Sequence, residues 1–172
     1  QAATASETSI NNAKFNIAQR YHRFEQLPEF QKIKGPDKPI ALVGGGPSVK
    51  KYVDDIKQFK TIIACGSSND WMMKNGIIPT YAAICDPDPV STKYYTLTDT
   101  ETKYLLASCC DPIIFEHFRG KQIVMWHCDS LEQRPELMKA DAPYPYYAIG
   151  GVCTVGLRMI SAAIMLGYTN IH

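Results

Sequence analysis

Short apolar runs recur along the chain, each closed by small, polar or acidic residues. Ile40–Val43 ends in Gly44-Gly45-Gly46, and Thr61–Cys65 ends in Gly66-Ser67-Ser68. Tyr81–Cys85 ends in Asp86-Pro87-Asp88, Tyr104–Ser108 in Cys109-Cys110-Asp111, and Gln122–Trp126 in His127-Cys128-Asp129. Runs of this length without strict alternation suit strands buried on both faces. Between them the pattern changes to helical spacing: Val49–Phe59 after Pro47, Asp70–Asn75 closed by Gly76, and Pro112–Phe118 opened by Asp111. The most regular helix is Thr154–Leu166, ended by Gly167, and its Ser161-Ala162-Ala163 allows close packing on a sheet. Asn170-Ile171-His172 reads as the start of a sixth strand. Strands alternating with helices predict an α/β fold with a mostly parallel sheet covered on both faces.

The flanks are less regular. Gln1–Ser6 is small and polar and reads as a disordered lead. Residues 11–34 carry Ile17, Tyr21, Phe24 and Leu27 on a rough helical stripe broken near Pro28, which reads as one or two helices capping the domain. Arg134–Tyr147 is rich in proline and tyrosine and reads as a loose passage. The expected organisation is a tail and helical extension over 1–38 and one α/β domain over 39–172.

In parallel sheets, ligands gather beyond the carboxyl ends of the strands, so the residues closing the apolar runs are the candidate site. Gly44, Gly45 and Gly46 allow close approach of backbone to ligand, and Pro47 and Ser48 open a helix start that favours an anion. The spacing matches neither a P-loop, which needs Lys-Ser/Thr, nor a dinucleotide fingerprint, whose third glycine would stand at Val49. Gly150 and Gly151 followed by Thr154 repeat the turn-to-helix logic. Asp86 and Asp88 offer carboxylate oxygen to a hard cation such as Mg²⁺, or cap local N–H groups in an Asp-Pro turn. His127 can serve as a general base or as a satisfied polar group. Tyr144, Tyr146 and Tyr147 stack on a ring or pack a loop, packing being favoured.

Composition narrows the class. Over 172 residues the charges nearly cancel, giving +1, which argues against a nucleic-acid binder. No apolar run approaches a membrane span. The six cysteines (Cys65, Cys85, Cys109, Cys110, Cys128, Cys153) include no C-x-x-C pair and sit mostly at the ends of apolar runs. They read as reduced structural thiols rather than disulfides or a zinc site, in a cytoplasmic setting.

Val43–Val49, Asn75–Pro79 leading to Cys85-Asp86-Pro87, and Gly150–Gly156 through Leu166-Gly167-Tyr168 stand in an order and spacing that resembles the MptE-like family, named for 6-hydroxymethylpterin diphosphokinase. The resemblance covers residues 39–172. The Gly-x-Gly-Pro-Ser start and the helix ending Leu-Gly-Tyr also resemble bacterial sialyltransferases that use a cytidine-monophosphate sugar, and the motility accessory factors share the MptE-like domain. The resemblance implies a Rossmann-like three-layer sandwich and a nucleotide-dependent transferase, with either ATP and Mg²⁺ or a CMP-sugar as co-substrate and a small acceptor; a homo-oligomer stays open.

By that likeness Gly44–Ser48 meets the phosphates, Gly66, Ser67 and Ser68 line the pocket, Asp86 stands by the transferred group, and Thr154 holds the donor. The sialyltransferases carry Asn where this chain has Gly45 and Asp86, and the acidic residue favours a Mg²⁺–phosphate mechanism. Both relatives continue past Ile171 into an acidic motif, and the sialyltransferases into a histidine base, so the chain is expected to be C-terminally incomplete.

Overall fold

The computed structural model describes residues 5–151 and 154–172. Its frame is a seven-stranded parallel sheet in the order β1-β6-β5-β4-β3-β2, with β7 paired to β6. The strands are β1 (His22–Arg23), β2 (Ile40–Val43), β3 (Thr61–Cys65), β4 (Tyr81–Ile84), β5 (Lys103–Ala107), β6 (Gln122–Cys128) and β7 (Ala148–Ile149). The helices are α1 (Ala5–Ala18), α2 (Val53–Ile56), α3 (Ser68–Lys74), α4 (Pro112–His117), α5 (Arg134–Asp141) and α6 (Val155–Met165). Central strands β4 and β5 are buried almost end to end, as their unbroken apolar runs require. The expected α/β three-layer architecture is the one observed.

From β2 onward, chain direction across the sheet reverses once. From β2 the strands step in sequence order through β3, β4 and β5 to β6. After β7, α6 lies across β2, β3 and β4 and delivers the chain to the far side of β2. There Ile40 N–H donates to the Asn170 carbonyl (3.0 Å), Leu42 N–H to that of His172 (2.8 Å), and His172 N–H to that of Ile40 (3.0 Å). Right-handed crossovers running in opposite directions lie on opposite faces of the sheet. Thus β2 is the topological switch point, flanked by β3 on one edge and residues 170–172 on the other.

Several local expectations are revised. Ala5 and Ser6 already belong to α1, so the lead does not stay irregular to residue 6. The 11–34 segment contributes a strand as well as helix, because His22 and Arg23 pair with Val124 and Met125 of β6. The helix expected over 49–59 is a 3₁₀ turn, Pro47–Tyr52, followed by the one-turn α2. The passage 134–147 contains α5, with Pro135 in the first turn, where its missing N–H costs nothing.

Two features lock the N-terminal segment to the sheet. At the end of α6, Gly167 adopts φ +86° while Tyr168 N–H returns to the Ala163 carbonyl (3.0 Å). The Gly167 carbonyl accepts from Lys34 N–H (2.7 Å), and a Cβ on Gly167 would overlap the Lys32 carbonyl. On the other edge, Arg23 (3% exposed) forms a bidentate pair with Asp141 (0% exposed), its Nε 3.3 Å from Oδ2. His127, 3% exposed, donates from Nε2 to the same Oδ2 (3.0 Å) and accepts at Nδ1 from the Ser108 hydroxyl (2.9 Å), the tautomer that satisfies both partners. Glu25 stands 4.0 Å from Arg23, and Tyr144 covers the guanidinium at 3.8 Å.

Burial pushes the Asp141 carboxyl up, but hydrogen bonds from His127 and Arg23 outweigh it, leaving the group below its ordinary value of 3.8. A depressed carboxylate contributes stability that is fully present above the unfolded value and is lost as pH falls through the lower folded value. Asp141→Asn leaves a buried guanidinium unpaired, so urea unfolding at neutral pH should show a loss of about 3–5 kcal/mol. Its stability should also fall less steeply below pH ~4 than that of the wild type. Gly167→Ala, strained at positive φ and obstructed by Lys32, should cost at least ~1–3 kcal/mol in the same assay.

Candidate functional site

The first glycine turn lies at the carboxyl end of β2, where the chain direction reverses. Gly46 is the extended N-cap of the 3₁₀ turn and Pro47 its first residue. A turn this short carries little of the dipole that a long helix would bring, so the turn's value to a ligand is close access to backbone. Space around Gly44 gives that access: no atom lies within 4 Å of where its Cβ would stand. It borders two cavities. One, of about 730 Å³, lies beside the 3₁₀ turn and α2 and is lined by Gly44, Gly46, Ser48, Tyr52, Phe59 and His172 among others. The other, of about 450 Å³, lies beside α6 and is lined by Gly44, Cys65, Gly156, Ile160, Ile171 and His172 together with Leu42. Volumes of this size suit small-molecule ligands.

The turns after β2 and β3 touch each other. A Cβ on Gly45 would overlap the Ser67 hydroxyl. Ser68 is buried and donates to the Val43 carbonyl (2.6 Å) while accepting from Cys65 N–H (3.0 Å). Of the expected Gly66-Ser67-Ser68 lining, Ser68 therefore braces the β2 and β3 ends, and Ser67 is the hydroxyl that abuts the glycine turn. The second glycine turn approaches through α6. Thr154 caps that helix, its hydroxyl accepting from Leu157 N–H (3.4 Å), and Gly156 in the first turn faces Gly44 across the smaller cavity. Gly151, at φ +141°, backs onto Arg158, whose Nη1 donates to the Ile149 carbonyl (2.8 Å). Val152 and Cys153 lie outside the described residues.

Asp86 and Asp88 follow β4. Asp86 Oδ1 accepts from Asp88 N–H (3.0 Å), and Asp88 Oδ1 accepts from Val90 N–H (2.8 Å) to cap the 3₁₀ turn Pro89–Tyr94. One oxygen of each carboxylate is thus spent on the turn. Asp88 is exposed and Asp86 half-buried. His127, in contrast, is buried with both nitrogens engaged, and it stacks on Tyr146 (5.0 Å between centroids). Tyr147 packs on Phe30 (5.2 Å) and Tyr144 on Arg23, so the tyrosines hold the loop.

Three cysteines that the spacing does not connect come together instead. Cys85 and Cys109 lie just past the ends of β4 and β5, Cys128 ends the adjacent β6, and their sulfurs lie within 4.8 Å of one another. The Cys85–Cys128 separation is 3.0 Å and the Cys109–Cys128 separation 3.8 Å. Among the described residues this is the one group of three or more His, Cys, Asp or Glu close enough to share an ion. Hydrogen bonds from Cys110, Cys128 and Cys85 hold the Cys109 thiol well below its ordinary range. Its partners move the other way: the bond with Cys109 pushes Cys85 up to about 12 and Cys128 higher still. The signal was available only in the strand order, since each cysteine follows its own apolar run.

The comparisons bear on this arrangement. The chain superposes on the structure of MAf glycosyltransferase from Magnetospirillum magneticum AMB-1 with a TM-score of 0.77 at 18% identity, over 99% of this chain and 27% of that one. The shared feature at that identity is the fold, and the chain spans about a quarter of that protein's length. No curated protein matches the chain. The family described as "6-hydroxymethylpterin diphosphokinase MptE-like" matches residues 7–172. The match takes in most of α1 and all of β1, which the resemblance over 39–172 left outside. With nearly its whole length matched, the chain belongs to the MptE-like family.

Proposed function

We propose that this chain is the nucleotide-binding domain of a Mg²⁺-assisted transferase that moves a diphosphate from ATP to a hydroxymethyl acceptor. The observation that carries the reading is the position of Gly44, open to two cavities at the switch point of a parallel sheet and facing the first turn of α6. In this reading the phosphates lie against the backbone of Gly44, Gly45 and Gly46, with Pro47 fixing the turn and Ser48 lining the larger cavity. Gly156 and Ile160 of α6 line the other side, with Ser67 against Gly45 and with Gly150, Gly151 and Thr154 leading into that helix as the further donor contacts of this reading. A helix start of this kind favours negative charge.

Asp86 stands two strands from β2, about 10 Å across the sheet at the usual strand spacing. Mg²⁺ commonly takes one or two carboxylates together with substrate phosphates and water. Asp86, with Asp88 as the outer carboxylate, suits that role through the oxygens not bound in the turn. Catalysis is then positioning and charge neutralisation, without a protein nucleophile. His127 has no nitrogen left for proton transfer and serves the fold. Membership of the MptE-like family supports the diphosphate reading.

The likeness to a MAf glycosyltransferase suits a second reading, glycosyl transfer, for which the resemblance to sialyltransferases implies an acidic sugar on a CMP donor. There the same turns stabilise a departing nucleotide phosphate and Asp86 orients the acceptor. The readings differ in nucleotide and in metal requirement.

A thermal-shift series with ATP, CTP, CMP and CMP-sugars, each with and without Mg²⁺, separates them. A ligand at a hundred times its Kd should stabilise the native state by ~2.7 kcal/mol, seen as a rise in Tm. A rise with ATP that requires Mg²⁺ supports diphosphate transfer, and a metal-independent rise with CMP supports sugar transfer. Binding of ATP without turnover would leave a nucleotide-binding module. Gly44→Asp tests the location: its side chain meets open space, so the Tm without ligand should stay within ~1 °C of wild type. The added carboxylate should suppress the nucleotide-dependent rise. An undiminished rise would move the site away from β2.

A further inference from the structure

We propose that Cys85, Cys109 and Cys128 form a three-thiolate binding site for a thiophilic d¹⁰ cation, with Zn²⁺ as its representative. The inference does not depend on nucleotide binding. Three adjacent parallel strands deliver the ligands: Cys85 follows β4, Cys109 follows β5, and Cys128 ends β6. The strands are tied by continuous ladders, Ala83–Leu105 and Ile84–Leu106 on one side and Leu106–Met125 and Ala107–Trp126 on the other. Cys128 is therefore held in a strand, and Cys85 and Cys109 stand one and two residues beyond the ends of β4 and β5.

The spacing fits the chemistry. With Zn–S bonds of about 2.3 Å, tetrahedral geometry sets neighbouring sulfurs roughly 3.8 Å apart. The Cys109–Cys128 pair stands at 3.8 Å, and Cys85 closes on Cys128 at 3.0 Å. Seating the ion requires the closer pair to open by less than an ångström, within the reach of side-chain torsions. All three residues are half-buried, which admits an ion yet limits water. Soft thiolate sulfur selects Zn²⁺ over Mg²⁺, so the set is chemically distinct from the neighbouring Asp86.

Charge also fits. Three thiolates and Zn²⁺ leave one negative charge, and the Arg158 guanidinium is near enough to favour the Cys85 thiolate. On binding, each sulfur that still carries a proton exchanges its S–H bond for a Zn–S bond, and that proton passes to solvent. Affinity should accordingly fall as pH falls. The fourth tetrahedral position goes to water or to a ligand heteroatom, the arrangement of zinc sites that keep an open position. A disulfide between Cys85 and Cys128 is the competing use of the same sulfurs. It would strand Cys109, whose sulfur lies 3.8 Å from Cys128, and would need an oxidant.

The test uses the whole reduced chain, freed of metal and titrated with Co²⁺ and then Zn²⁺. One equivalent of Co²⁺ should give the charge-transfer and d–d bands of a tetrahedral thiolate site, and Zn²⁺ should bleach them. One equivalent of Zn²⁺ should protect Cys85, Cys109 and Cys128 together from alkylation, as read by peptide mass, while raising Tm. Cys85→Ser and Cys109→Ser should each weaken Zn²⁺ by more than the roughly 10- to 100-fold that loss of an outer-shell partner costs. Cys65→Ala, on a different strand end, should bind as wild type. Absence of thiolate-to-metal bands in the wild-type chain would overturn the site whether or not the variants fold. So would unchanged affinity in the serine variants, or a Cys85–Cys128 disulfide that forms in air in spite of added Zn²⁺.

Discussion

The structure depends on how β2 is paired. Hydrogen bonds on both of its edges, to β3 and to residues 170–172, turn a strand that would otherwise be an exposed edge into an interior one. Because the chain leaves β2 in one direction and returns past it in the other, α2 and α6 fall on opposite faces. Two cavities open at the carboxyl end of β2, and Gly44 borders both of them. Without the pairing of Ile40 and Leu42 with the last residues, the larger cavity would lose His172, which rests on Phe59, and the smaller one would lose both Ile171 and His172.

The opposite side of the sheet is secured by polar groups. Asp141, His127 and Arg23 are each nearly inaccessible, and each finds charged or hydrogen-bonding partners within the group. Asn16 of α1 similarly donates to the carbonyls of Ser108 (2.9 Å) and Cys110 (2.8 Å) beyond β5. Buried polar groups without partners are costly, so these contacts specify geometry more than they add net stability. They fix α1 and α5 beside β6 and join the N-terminal segment to the sheet that bears the glycine turn.

Much of the frame was legible because burial on both faces writes itself as continuous apolar runs. Ile40–Val43, Thr61–Cys65 and Tyr81–Ile84 were readable for that reason, as were the caps at Asp111, Gly76 and Gly167. Strand β1 was not, since His22 and Arg23 are polar and Arg23 is tolerated inside only through Asp141, 118 residues away. Helix α5 was hidden by Pro135 and by an apolar face reduced to Leu137 with Asp141 turned inward. The helix expected after Pro47 failed for the converse reason. The pattern of Val49, Val53 and Ile56 suits α-helix, but the chain winds as 3₁₀ through Tyr52 first. At the site, the residues closing each strand were readable as a set, while their grouping was not. Proximity at the carboxyl edge follows strand order, and spacing along the chain does not encode that order.

Strand order also grades the chemistry of the edge. At β2 and β3 it presents glycine backbone and the Ser67 hydroxyl, suited to phosphate oxygen. At β4 it presents the Asp86 carboxylate, a hard oxygen donor. From β4 through β6 it presents three sulfurs, and beyond them Tyr146 on His127. A ligand with its anionic end at Gly44 and its reacting centre near Asp86 would lie across the strand ends, with the thiols beneath its far end. The donor types are ordered from anion-binding backbone to hard oxygen to soft sulfur. The hard and soft donors meet at the end of β4, where Cys85 and Asp86 are neighbours, so what separates them there is donor chemistry and not distance along the sheet.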